Sequence, residues 1–467
     1  MEVTKRYDKG RQLPRGGYLH EGRAVPEVSA GAPSILPMSQ KEENRQDKCR
    51  LLEDILDPVN LNRAYKKVKA NGGSPGVDGM EVDKLYRYLK QNGKDIRQKI
   101  LKRSYRPSPV RRVKIPKPDT GVRLLGIPTA LDRVIQQAIA QILIPIYEEK
   151  FSEQSYGFRP KRSARQAVEK ARQYIQSGYT WTVDIDLAQY FDTVNHDRLI
   201  RTLSYTIKDP RVISLIRKYL VSGVMTEGVV TKTDKGTPQG GNLSPLLANI
   251  VLDELDKELE KRGLCFVRYA DDVNIYVRSR KAALRVMASI TRFIEEKLKL
   301  RVNQDKSRVD RPWKLKFLGF SFYRKEEGIG IRVHPQSIAR FKSALKKITS
   351  RSNAASIPYR MYKLRQLIVG WVNYYGIADM IRLARALDEW LRRRIRMCIW
   401  KQWKKIKTRY KNLKRLGIPK SKAWEYANTR KGYWRIAGSP ILTRTLGNDY
   451  LKKLGLVSIR ERCLLVY

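Results

Sequence analysis

Histidine and cysteine are almost missing from this chain, with 3 and 4 among 467 residues. Cys49, Cys265, Cys398 and Cys463 stand far apart and form no CxxC pair. That spacing suggests neither a zinc site nor a disulfide framework, and it reads as reduced thiols in a cytoplasmic protein. Long hydrophobic runs are missing as well. No stretch of 18 apolar residues is there to cross a bilayer, and the N-terminus shows no basic stub followed by an apolar segment and a small-residue cleavage site. Acidic side chains are the third shortage: Lys and Arg number 96 against 46 Asp and Glu, a net charge of +50. An excess that large repels itself unless a polyanion neutralises it and releases counterions, so nucleic acid is the expected partner and a membrane is not.

What is present suffices for a folded protein of two or three domains: 42% of the residues are hydrophobic, and a chain of this length exceeds one core. Residues 1–45 are rich in Gly, Pro and charge with little periodicity, and read as a mobile leader or an upstream extension. Residues 61–70 carry a helical pattern, the glycine-rich stretch 72–79 is a loop, and about 105–322 alternates short β-branched strands with amphipathic helices. After His334 the pattern is almost wholly helical. From that residue to the end, 32 Lys or Arg face 6 Asp or Glu, a net +26, which marks a dedicated binding module. Leu383, Leu387, Trp390, Leu391, Ile395, Cys398 and Ile399 recur there at helical spacing. Arg392, Arg393, Arg396 and Lys401 fall between them, on the side expected to be polar.

Two segments present carboxylates. Residues 266–277 read as two short apolar strands joined by a tight turn at Ala270-Asp271, with Asp272 at its edge. Adjacent carboxylates at a hairpin tip are unfavourable unless a cation neutralises them. Residues 181–186 alternate strictly, so Val183 and Ile185 point one way while Asp184 and Asp186 point the other. A strand and a hairpin that both offer carboxylates suit a pair of divalent cations, able to activate a 3′-hydroxyl and stabilise a leaving pyrophosphate. Hard oxygen ligands favour magnesium over zinc, in keeping with the shortage of His and Cys.

Between these segments, residues 236–250 read as a glycine loop feeding a helix. Ser244 is placed to cap it, Pro245 suits its first turn, and Leu247, Ile250, Val251, Leu255 and Leu259 line one face up to Gly263. Gly240 and Gly241 would let backbone approach a substrate closely. These motifs resemble those of bacterial group II intron reverse transcriptases and maturases, in the form without an H-N-H endonuclease. Tyr269-Ala270-Asp271-Asp272 is similar to their YxDD box. Asp186 followed five residues later by Phe191 resembles their first palm motif, and 236–250 resembles their nucleotide-pocket motif. Arg112 to Asp119 with Arg123 to Pro128, Ser155-Tyr156-Gly157-Phe158-Arg159-Pro160 and Phe317-Leu318-Gly319-Phe320 fit the family in order and spacing. The resemblance covers about 51–425.

The resemblance implies an α+β fold: a right-hand polymerase whose fingers and palm, antiparallel sheet plus helices, occupy 46–330. An all-α thumb or maturase domain X would follow over 331–425, then a short basic tail, 426–467, as a candidate DNA-binding remnant. It implies that Asp186, Asp271 and Asp272 hold two Mg2+ ions, with Asp184 in support. Lys117 and Arg123 would hold the incoming triphosphate, as point charge and bidentate fork. Phe191 would sit beneath the sugar and select dNTPs, the alternative being a core aromatic, and Gln239 and Gly240 would border the nucleotide. Arg392, Arg393, Arg396, Lys401 and Lys404 would grip intron RNA, whereas Trp371 and Tyr375, four apart, are expected to pack in the core. The implied partners are group II intron RNA, an RNA template with a DNA primer, dNTPs and target DNA. The implied function is RNA-directed DNA synthesis joined to intron splicing and mobility. With no histidine beyond His334 and few acids there, neither an H-N-H nor an RNase H site is expected. Two other functions stay open: a domesticated or free-standing reverse transcriptase, and a splicing-only RNA-binding maturase, against which the intact carboxylates argue.

Overall fold

The computed structural model describes residues 50–116, 121–226, 228–231, 235–236 and 240–466. The expected leader, Lys117 and Gln239 lie outside them. The described residues form two compact units, one running to His334 and one from Pro335 onward.

In chain order the strands are β1 (Val110–Pro116), β2 (Val122–Ile127), β3 (Trp181–Asp186), β4 (Val224–Thr226), β5 (Val229–Thr231), β6 (Cys265–Tyr269), β7 (Asp272–Val277), β8 (Arg308–Asp310), β9 (Phe320–Lys325) and β10 (Gly328–Val333). They assemble into two four-stranded sheets, ordered β2-β1-β4-β5 and β6-β7-β3-β8, and a β9-β10 hairpin. In the second sheet every neighbouring pair is antiparallel. Its strands differ in pattern for a physical reason. Val183 and Ile185 of β3 are buried while Asp184 and Asp186 are half-exposed, so the strand alternates at the end that carries the aspartates, whereas Thr182 is buried on the aspartate face. β7 is buried at every position after Asp272, because its two neighbours and the packed helices Ala164–Gln176, Ser244–Lys261 and Arg280–Arg292 cover the sheet.

Local chemistry starts these helices. Ser163 and Gln166 form a reciprocal capping box, and Ser279 accepts from the Ala282 N–H, each satisfying N–H groups that the first turn leaves free. The helix Pro58–Asn71 covers the expected 61–70 segment, with Asp57 as its cap. Helix Ser244–Lys261 departs from expectation. Leu243, not Ser244, holds the cap position, with no side-chain cap bond. Leu243 is 2% exposed, so burying its side chain sets where the helix begins and leaves Ser244 inside the first turn.

The second unit is helical throughout its described residues. Its long helices are Pro335–Ile348, Ile357–Tyr375 and Ile381–Gln402, with the pair Ile406–Arg415 and Lys420–Ala427 after them. Trp371 stacks on buried Phe341 at 4.2 Å and Tyr375 leans on Trp371 at 5.0 Å, so both rings pack against the core while staying half-buried. Several arginines here close loops. Arg360, 4% exposed, donates to the Ile348, Asn353 and Ala355 carbonyls. Among the described residues no helix is long and apolar enough to cross a membrane.

Candidate active site

β3 and β7 run side by side in a register that sets Asp186 opposite Asp272 and Asp184 opposite Asn274. Since β6 and β7 pair Tyr269 with Asp272, Ala270 and Asp271 form the two-residue tip of that hairpin. Ala270 has φ 57°, a left-handed conformation that costs a residue with a Cβ roughly 1–2 kcal/mol. Such strain persists where the surroundings over-determine it.

The carboxylates crowd one end of the sheet. Burial, reinforced by Asp271, Asp184 and Asp186, pushes the Asp272 carboxyl up to about 7, although the residue keeps one side open to solvent. Burial also raises Asp271; Asp186 adds to that rise, while Arg123 and Arg268 oppose it. Burial lifts Asp184 to about 6 against the pull of Arg308, its neighbour on β8. The Lys306 ammonium lies 3.4 Å from Asp186 Oδ2. The Asp186 backbone is held on both sides: its N–H donates to Ser307 Oγ at 3.0 Å, and its carbonyl accepts from the Asn303 N–H at 2.8 Å. Sequence reasoning missed Lys306 and Ser307. Ser307 lies 121 residues beyond Asp186, in a segment with no motif to mark it.

Among the described residues no group of three or more His, Cys, Asp or Glu side chains closes around one ion position. The donor set nonetheless fits a hard divalent cation. It consists of carboxylate oxygens at one sheet end, with Asp271 and Asp272 raised by burial and by their like-charged neighbours, which is repulsion that a cation relieves.

The other expected nucleotide contacts are placed unevenly. Arg123 is exposed on β2 opposite Ile115, and its charge reaches Asp271. Phe191, in the short helix Tyr190–Thr193, is half-buried against the core and meets the Tyr190 ring edge-on at 5.3 Å. The ring is therefore packed on one side and open on the other. Gly240 is crowded by the protein itself. It has φ 120°, and a Cβ there would stand 2.6 Å from the Gly126 carbonyl oxygen and 3.0 Å from Leu125 Cδ1. Its close approach is to β2, so the described packing already accounts for glycine without a substrate. Sequence reasoning also missed His196, buried, whose Nε2 donates to the Gly236 carbonyl at 2.6 Å and anchors the start of the glycine loop.

The expected RNA contacts divide too. Lys404 is exposed and Arg392 half-exposed. Arg393 donates to the Trp434 carbonyl at 3.0 Å and lies over that indole at 4.2 Å, while the Lys401 ammonium sits 4.9 Å from the Tyr433 ring centre. Arg396 does not lie on a polar face. It is 7% exposed, and its Nε donates to the Leu446 carbonyl at 3.0 Å. The later helices fold over this side of Ile381–Gln402, a cover that the helix's own periodicity cannot reveal.

A family model for reverse transcriptase (RNA-dependent DNA polymerase) matches residues 115–322, and one for the group II intron maturase-specific domain matches 338–417. The chain is 32% identical over 357 residues to protein YkfC of Escherichia coli K12, covering 68% of this chain and 92% of that one. It is 37% identical over 231 residues to the group II intron-encoded protein LtrA of Lactococcus lactis subsp. cremoris, covering 48% of this chain and 38% of LtrA. With nuclear intron maturase 2, mitochondrial, of Arabidopsis thaliana, identity is 32% over 177 residues, 29% of this chain and 24% of that one. The chain thus spans nearly all of YkfC but well under half of the two intron proteins. The unit that carries the carboxylates is a reverse-transcriptase domain, the catalytic part of an RNA-directed DNA polymerase. With the maturase-specific domain behind it, the chain belongs to the family of group II intron reverse transcriptases and maturases. Reverse transcriptases use divalent metal ions, and the maturase domain implies intron RNA as a binding partner.

Proposed function

We propose that this protein extends a DNA primer along an RNA template with two magnesium ions held by Asp186, Asp271 and Asp272, and that it grips its intron RNA to assist splicing and mobility. In this reading the fingers and palm fill 46–330, the thumb or maturase domain 331–425, and the tail 426–467 meets target DNA. The supporting observation is the β3–β7 register, which sets Asp186 against Asp272 beside a tip that offers Asp271. When bound, the ions supply activation of the primer 3′-hydroxyl and neutralisation of the leaving pyrophosphate. The chain's own groups orient the reactants. Arg123 offers its fork to the triphosphate, with Lys117 as a point charge. Gln239 and Gly240 border the dNTP, and the open side of Phe191 meets the sugar and excludes a 2′-hydroxyl. Asp184 balances charge beside Asp186 without touching the substrate.

Primer extension on an RNA template with dNTPs and magnesium tests this reading. Asp271→Ala and Asp272→Ala should each abolish synthesis, because each removes charge stabilisation from the transition state. Substantial synthesis by both variants would overturn it.

A further inference from the structure

We infer that Arg268 is a positioning residue, which fixes the main chain of the Ala270-Asp271 tip and so aims the carboxylates that follow; the inference rests on the proposed roles of Asp271 and Asp272. Arg268 is fully buried. Its Nε donates to Asp256 Oδ1 at 2.7 Å, Nη2 reaches the second oxygen, and both side chains of this ion pair are wholly enclosed. The remaining arm does the distinctive work. Nη1 donates to the Ala270 carbonyl at 3.1 Å and to Asn249 Oδ1 at 3.0 Å, and Asn249 Nδ2 donates in turn to the Gly157 carbonyl at 2.8 Å. Asn249 and Asp256 stand two turns apart on helix Ser244–Lys261, spacing that puts them on one face.

The tip is pressed from another direction too. A Cβ on Gly157 would lie 2.2 Å from the Ala270 nitrogen, so segment 154–157 runs directly against the turn. That segment is stitched to the hairpin by Arg268 N–H to the Gln154 carbonyl at 2.9 Å and Tyr156 N–H to the Arg268 carbonyl at 2.8 Å. Arg268 thus joins the helix, the flanking segment and the strained residue immediately before Asp271.

Stability alone does not require this arrangement. Replacing an enclosed ion pair by apolar residues of similar volume is often neutral or stabilising, because the desolvation of both charges disappears. What an apolar pair lacks is a donor for the Ala270 carbonyl. Without it the left-handed turn can relax, and a displacement of about 1 Å in reacting geometry lowers rate on the order of a hundredfold.

Folding and positioning can therefore be separated. The full chain carrying Arg268→Met with Asp256→Leu should unfold at the parent's temperature or above and bind primer-template in EDTA as the parent does. Its kcat for single-nucleotide addition should fall about a hundredfold, with a much smaller change in KM for dNTP, and its magnesium-induced rise in Tm should shrink. Arg268→Lys, which keeps the charge but lacks the fork, should not restore kcat. Should the double variant fail to fold, Asn249→Ser keeps the ion pair but removes the acceptor that steers Arg268 Nη1 toward the Ala270 carbonyl and releases the Gly157 carbonyl, and about a tenfold loss of kcat is expected at near-parent Tm. Parental kcat in either folded variant overturns the inference. If Asp271→Ala is dead while the double variant is fully active, only the positioning role fails. If Asp271→Ala is active, the carboxylate reading fails first.

Discussion

Asp272 carries a stability consequence that its proposed metal role makes necessary. A carboxyl held up to about 7 is harder to ionise in the folded chain than in the unfolded one, where it titrates near 3.9. Its stabilising contribution is whole below about pH 4 and is lost as pH rises through about 7. Asp272→Asn should therefore raise the Tm of the metal-free protein at pH 8, leave it near the parent's at pH 4, and abolish synthesis. Thermal melts in EDTA at the two pH values check this; a lower Tm for the variant at pH 8 would mean that carboxylate crowding is not costly. Phe191 gives a second prediction at this scale. Phe191→Ala should raise rNTP incorporation relative to dNTP, and unchanged discrimination with a lower Tm would assign the ring to the core. At single residues the sequence was informative where periodicity decides, as for the facing of Asp184 and Asp186. It left Phe191 between the sugar pocket and the core, because its half-burial depends on Tyr190 and the surrounding core.

Elements were easier to read than the joints between them. The 266–277 hairpin, the alternating β3 strand and the apolar stripe of Ser244–Lys261 follow from patterns of period 2 and 3.6. The cap of that helix did not, because burial of Leu243 outweighs the capping preference of Ser244. The Arg268–Asp256 pair was equally hidden: 12 residues separate helix and strand partners, and nothing local announces that they meet. Gly240 shows the same limit, since its need for glycine comes from Gly126 on another element. Gly240→Ala should place a Cβ against that carbonyl at a φ that side chains rarely adopt, for a loss on the order of 1–3 kcal/mol. Urea unfolding measures it, and an unchanged midpoint would mean that the loop can move away from β2 freely.

Across the whole molecule, charge announces a nucleic-acid partner, yet it does not say which basic side chains are available. The C-terminal stretch from His334 carries a net +26, and part of that charge is built into the unit itself. Arg360 and Arg396 are buried and occupied by backbone carbonyls. Arg396→Gln should therefore destabilise the unit by about 1–3 kcal/mol, by leaving the Leu446 carbonyl short of its donor, so weaker RNA binding by that variant would not report a phosphate contact. Lys404, Lys405 and Lys407 are exposed around the start of helix Ile406–Arg415 and provide the cleaner test. Replacing all three with Gln should leave Tm near the parent's, because exposed positions contribute little to folding and Gln is close to Lys in helix propensity. Intron RNA affinity should fall, and the slope of log affinity against log salt should flatten by up to about three phosphate contacts' worth of counterion release. Single-nucleotide addition on a saturating short primer-template should change less, since all of its proposed contacts precede His334 in the chain. Titration of labelled intron RNA at several salt concentrations decides the matter. An unchanged affinity and slope would show that these lysines are not where the RNA is held, and would move the search to the basic β1-β2 hairpin.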